Sequence, residues 1–229
     1  HMFYDKYDNY KIFDTPEEQK ENLFFARVDS YSRNTASAPK AAQNGIALTL
    51  TNNKSDNLIR LSCAAAEKNL LPFFEAWGLT YDADTAKYAQ QFPKETHKIQ
   101  YMHPDAQKYR LAGNTGMAEG TTVTADTTYV DGKNTVTLTL DNSDKSDAML
   151  GYEILRNGKA VAFVPASQTS YVDTITTGNN RTYTYEVIAY DKLLNATAAK
   201  TLAPIKVKHD GAIDRSHWTI TTNMTSADD

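Results

Sequence analysis

No apolar run in this sequence approaches the roughly 20 residues that span a bilayer, and its start lacks the basic-then-apolar pattern of a signal peptide. A membrane span is therefore not expected. Only one cysteine is present among the 229 residues. That excludes an internal disulfide and leaves Cys63, set close to Leu61 and Ala64 in an apolar helical pattern, to pack as a small hydrophobe. Basic runs are missing too: the 24 lysines and arginines are scattered among 28 acids, for a net charge of -4. A nucleic-acid ligand requires a basic face that replaces counterions on phosphate, so no nucleic-acid partner is expected. What is there, 41% hydrophobic and 23% charged residues, is the composition of a soluble globular chain with room for one large domain or two ordinary ones.

The first half carries helical signals. Thr15-Pro16-Glu17-Glu18 fits a capping box with proline in the first turn. Beyond it Phe24, Val28 and Tyr31 recur at i, i+4 and i+7 as one apolar stripe, with Lys20 and Arg27 facing water. A second helix is expected from about Ser55-Asp56, with Leu58, Leu61, Ser62 and Ala65 on one face and Ile59, Cys63 and Ala66 beside it; being apolar nearly all round, it should be buried. Asn69 through Gly78 reads as a short helix with a cap, an early proline and a terminating glycine. A further helix from about Asp84 to Gln91 is closed by Phe92-Pro93, because the residue before proline avoids the α region.

Past the small polar run Gly113-Asn114-Thr115-Gly116, the period changes from 3.6 to two. Thr135 to Leu140 and Tyr183 to Tyr190 alternate as strands with one buried face. Asp131-Gly132 and Asn157-Gly158 are hairpin signals, and Gly178-Asn179-Asn180 precedes the strongest strand. The fold class expected is thus α+β and multidomain. A helical bundle over residues 3–112 is followed by a linker over 113–120 and an antiparallel β-sandwich over 121–209. His1-Met2 reads as the remnant of an expression tag, and residues 210–229 as a tail leading to a missing downstream module, so the chain is expected to be a piece of a longer protein.

Two resemblances refine this reading. Gly151-Tyr152-Glu153-Ile154-Leu155-Arg156-Asn157-Gly158 and Tyr185-Glu186-Val187-Ile188-Ala189-Tyr190-Asp191 resemble strands of a fibronectin type III module, an immunoglobulin-like fold in which a tyrosine at the position of Tyr185 ties a corner through its hydroxyl. Asp56-Asn57-Leu58-Ile59-Arg60-Leu61-Ser62, followed by Asn69 through Leu79 with its run Pro72-Phe73-Phe74-Glu75-Ala76-Trp77-Gly78, resembles the C-terminal helical part of enhancin-like zinc metallopeptidases, the mucin-targeting peptidase family 60. Phe73, Phe74 and Trp77 are spaced to form an aromatic wedge against neighbouring helices. The resemblance implies a zinc ion held by an HExxH helix. None of His1, His97, His103, His209 and His217 sits in such a motif, so the catalytic part is expected upstream. Asp214-Arg215-Ser216-His217-Trp218-Thr219-Ile220 resembles the opening of a galactose-binding-like carbohydrate module.

His97 and His103 stand six apart with no acid or cysteine cluster, which favours ordinary histidines over a metal pair. The loop Asp141 to Asp147 is rich in oxygen ligands but lacks the glycine and glutamate of a calcium loop. Trp77 and Phe74 read as core, Trp218 as the more exposed tryptophan, and Glu75 and Asp84 as solvated helix ends. No catalytic, cofactor or metal residue is therefore assigned, and no cofactor is expected in this chain; zinc is expected only in the upstream part. The resemblance implies a non-catalytic region of a secreted or cell-surface bacterial peptidase acting on glycoproteins. Its partners would be the upstream catalytic subdomain, a downstream carbohydrate-binding module and a host glycoprotein, with the chain monomeric. The alternative is a carbohydrate- or protein-binding accessory module.

Overall fold

Asn53 shows how the helical half starts its elements. Its side-chain oxygen accepts from the N–H groups of Ser55 (2.9 Å) and Asp56 (3.4 Å), which satisfies two of the donors that a helix start leaves open. The structure, a computed structural model, describes residues 1–3, 6–7, 23–106, 109, 112–141, 147–176 and 181–208. Within them the helices are α1 (Phe24–Arg33), α2 (Lys54–Ala66), α3 (Leu71–Ala76) and α4 (Ala83–Gln90). The capping box at Thr15 to Glu18 lies outside the described residues.

Helix α1 buries Phe24 and Tyr31 as the stripe requires. Arg27 departs from expectation: it leans onto α2 and donates to the Ala65 carbonyl at 3.3 Å. Helix α2 buries Ile59, Leu61, Cys63 and Ala64, yet Leu58, expected on the buried face, is 48% exposed. The buried polar place goes to Arg60, whose guanidinium donates to Thr85 Oγ1 (2.7 Å), the Thr49 carbonyl (3.1 Å) and Asp82 (3.2 Å). Asp82 in turn caps α4 by accepting from Thr85 N–H at 2.6 Å. One apolar cluster, including Ile59, Leu70, Phe74, Tyr88 and Ile99, joins α1 to α4 and the turn Ile99–Tyr101.

The second half is antiparallel throughout. Strands β1 (Thr124–Tyr129), β2 (Thr135–Asp141) and β5 (Ser170–Thr174) form one sheet in the order β1-β2-β5. Strands β3 (Met149–Arg156), β4 (Lys159–Pro165), β7 (Tyr185–Asp191) and β8 (Lys200–Thr201) form another in the order β4-β3-β7-β8, and β6 (Arg181–Tyr183) pairs with β9 (Ile205–Val207). The alternation in β2 buries Val136, Leu138 and Leu140. A single apolar cluster draws on both larger sheets, with Val136 and Leu138 from one and Ile154 and Val187 from the other, so the sheets pack face to face. Asn157 and Gly158 both take positive φ (49° and 74°), which a tight two-residue hairpin between β3 and β4 requires.

The run from Tyr183 to Tyr190 differs from the single strand expected. It divides at Thr184 into β6 and β7, because Thr184 spends its backbone groups on the hairpin: its N–H donates to Asn157 Oδ1 (2.9 Å) and its carbonyl accepts from Asn157 N–H (2.8 Å).

Candidate functional site

His97 and His103 are each engaged by a neighbouring acid. His97 Nδ1 lies 2.9 Å from Glu95 and His103 Nδ1 3.3 Å from Asp105. Among the described residues no group of three or more His, Cys, Asp or Glu side chains gathers as a metal site requires. Asp141 and Asp147 flank residues 142–146, which with Gly178 to Asn180, His217 and Trp218 lie outside the described residues. Glu75 accepts from the Tyr81 hydroxyl, and Asp84 pairs with Lys87 across one turn.

Trp77 requires a correction. It is 57% exposed, whereas Phe74 is buried as expected. Helix α3 is only six residues long and buries Leu71 and Phe74, three apart, as its one inward face. Trp77 follows its last turn, and its ring lies tilted against Phe73 at 6.1 Å. Phe73 also meets Phe74 and Phe3 edge-on at 5.2 and 4.8 Å, so the wedge is real but its outer member faces solvent. Cys63 is fully buried; burial pushes its thiol up to about 12, partly offset by the Leu70 N–H that approaches its sulfur at 3.5 Å.

Motif reading missed several buried charged residues, among them Glu95, Asp173, Arg60 and Glu153. Glu95 accepts from the Tyr7 hydroxyl (2.6 Å) and from the N–H and ring of His97 (both 2.9 Å). Burial alone would raise its carboxyl, but the bonds from His97 and Tyr7 and the charge of Lys6 hold it at about 2. Beside it is a cavity of about 280 Å³ walled by Pro72, Phe73, Lys94, Thr96 and Gln100. A carboxylate held that far below neutrality is a poor proton acceptor; it ties residues 6–7 to the segment after α4. Asp173 joins Arg156 (2.8 and 3.0 Å) and the Tyr185 hydroxyl (2.7 Å) across the two sheets. Arg60 joins α2 to α4, and Glu153 joins the two halves. For Arg60, Glu153 and Asp173 the sequence signal is a charge interrupting an apolar period; Glu95, in a polar run, carries none.

These features define an α+β chain in which a few buried charged side chains, each hydrogen-bonded, tie one element to another. No family model matches the sequence, and no curated protein matches it. Among solved structures the chain is similar to the catalytic module of the metalloprotease ZmpA from Clostridium perfringens, at 22% identity and TM-score 0.54 over 84% of this chain and 34% of that one. It is similar to the M60 catalytic domain of ZmpC from the same organism, solved in complex with the sialyl T antigen, at 22% identity and TM-score 0.53 over 88% of this chain and 39% of that one. The M60 catalytic domain of ZmpB with its CBM51-1 and CBM51-2 domains matches at 26% identity and TM-score 0.53 over 86% of this chain and 18% of that one. The chain spans about a third of the length of the ZmpA and ZmpC chains. An M60-like, enhancin-type relation, expected from Asp56 to Leu79, is thereby supported by the fold.

Proposed function

We propose that this chain is the non-catalytic C-terminal region of a secreted bacterial M60-type zinc metallopeptidase acting on glycoproteins such as mucins. The helical half buttresses an upstream zinc-binding subdomain. The β half, a fibronectin type III-like sandwich, spaces it from downstream carbohydrate-binding modules.

The observation that carries this reading is the extent of the likeness. A match over 84–88% of the chain takes in more than either half contains, so it is the pair of halves that is similar to M60 catalytic modules. The exposed surface supports the division of roles: Leu23, Phe25, Ile46, Leu50, Leu58 and Trp77 are exposed large apolar residues of the helical half, against Val130 and Val172 in the β half. Apolar surface of that kind suits contact with another folded part. The three-strand and four-strand sheet order supports the fibronectin type III assignment, and the sialyl T antigen bound to the ZmpC domain supports a glycoprotein substrate for the parent.

The test uses the parent gene. The region upstream of this chain, produced alone and joined to it, is compared for soluble yield, zinc content and cleavage of a mucin-type glycopeptide. The joined form should be soluble, bind zinc and cut, and the upstream region alone should lose yield and activity. This chain by itself should cut neither casein nor mucin. Sugar binding by this chain on a glycan array would overturn the spacer role, and equal activity of the upstream region alone would overturn the supporting one.

A further inference from the structure

Two domains on one chain move relative to each other unless their interface is extensive and apolar, and a stretch with glycines at 113 and 116 reads as a flexible linker. Three observations oppose that here. Glu153, in the middle of β3 and 2% exposed, accepts from the Tyr101 hydroxyl of the helical half (2.7 Å) and the Tyr190 hydroxyl of β7 (2.9 Å), and lies 3.6 Å from Lys98 Nζ. Above it the Tyr101 ring stacks on Phe163 of β4 at 4.2 Å and meets Tyr190 edge-on at 5.7 Å. A carboxylate is buried at such a crossing only when its partners from both sides hold their places.

The apolar contact is reciprocal. Leu194, in the turn after β7, is buried in the helical core cluster rather than in the β core, with Leu150 and Leu193 packed against the same cluster. Its backbone is left-handed (φ 63°), a conformation that costs free energy in leucine and persists only where its surroundings enforce it. The linker itself is clipped. Asp191 is fully buried and accepts from Met117 N–H at 3.0 Å as well as from the N–H groups of Leu193 and Asn195, both at 2.8 Å. Gly116 (φ 82°) lets the chain pass so near that a Cβ there would stand 2.4 Å from Asp191 Oδ2.

We infer that the two halves form one rigid body, latched by Glu153, pegged by Leu194 and clipped by Asp191 on Met117, so that the β half is a fixed mount and not a hinged tether. The end of β9 is then fixed in place relative to the helices. This goes beyond the proposed function and does not depend on it, since it concerns geometry alone.

Pulsed electron paramagnetic resonance tests it on the chain as it stands, with spin labels on Ser30→Cys of α1 and Thr139→Cys of β2, both exposed; buried Cys63 stays unlabelled. One narrow distance is expected. A broad or bimodal distribution in this otherwise unaltered chain would overturn the inference. Tyr101→Ala with Gly116→Val removes a latch partner and blocks the clip without altering the inner face of either sheet, and should abolish the narrow peak while the far-ultraviolet dichroism is kept. A narrow peak retained in that folded double variant would show that the latch and the clip do not hold the halves, again overturning the inference as stated. If the double variant does not fold, the unaltered chain's distribution decides.

Discussion

Replacing Tyr185 with phenylalanine isolates a single cross-sheet tie. The Tyr185 side chain is fully buried, and its hydroxyl donates to Asp173 Oδ2 at 2.7 Å. Asp173 keeps Arg156 Nη1 at 2.8 and 3.0 Å in either case, so the substitution orphans no charge. The loss is then that of one hydrogen bond to an ionised acceptor, about 2 kcal/mol where a neutral one contributes about 1. If the whole chain melts together, a loss of that size lowers Tm by about 4–8 °C, and by roughly twice as much if the β half melts alone. Chemical denaturation gives the free energy and calorimetry the shift and the number of transitions. Asp173→Ala should cost more, because it strands the Tyr185 hydroxyl in the core while Arg156, about a third exposed, turns to water. A cost for Tyr185→Phe below about 0.5 kcal/mol, the scatter of neutral substitutions, would refute the reasoning. Burial and then the bond to Asp173 raise the Tyr185 pKa. A raised folded-state value stabilises below the pH where unfolded tyrosine ionises, near about 10, and that contribution fades as pH climbs through it.

Other perturbations read other parts of the fold. Glu95, held at about 2 against an ordinary 4.5, contributes stability present above about 4.5 that is lost as pH falls toward 2; denaturation midpoints across that window should drop, and Glu95→Gln should flatten the drop. Leu194→Ala removes the peg from the helical core and should cost about 2–5 kcal/mol, measured by chemical denaturation, although residue 194 belongs to the β half by sequence. Cys63, buried and pushed up to about 12, should resist a disulfide-exchange reagent at neutral pH in the native chain and react at once in denaturant.

Local signals were legible wherever the partner is near in sequence. Helix α4 ends at Gln90, just ahead of the Phe92-Pro93 stop. The Asn157-Gly158 hairpin and the alternation in β2 are likewise fixed within a few residues. Tertiary context set the rest. Thr184 has strand propensity and sits in an alternating run, but the turn 27 residues away takes its backbone bonds. Trp77 has the spacing of a core residue, but a six-residue helix buries only one turn's face. Arg27 has the place of a solvated cation until Ala65 supplies an acceptor 38 residues on.

The buried charges follow the same rule with more consequence. Burying one ion costs several kcal/mol unless its partners are fixed, so Arg60, Glu153, Asp173 and Asp191 are stable only after the elements that carry their partners have packed. Those partners lie 25, 52, 17 and 74 residues away for the bonds to Thr85, Tyr101, Arg156 and Met117. Sequence periodicity covers one element and is blind at that range. The same distances explain what these groups do: each charge joins α2 to α4, helices to sheet, sheet to sheet, or linker to strand, and the three acids have donors on their carboxylates. Carboxylates committed in this way position backbone and are poorly placed to exchange protons with a substrate. That commitment is consistent with the frame role proposed above for a chain similar to about one third of a peptidase module.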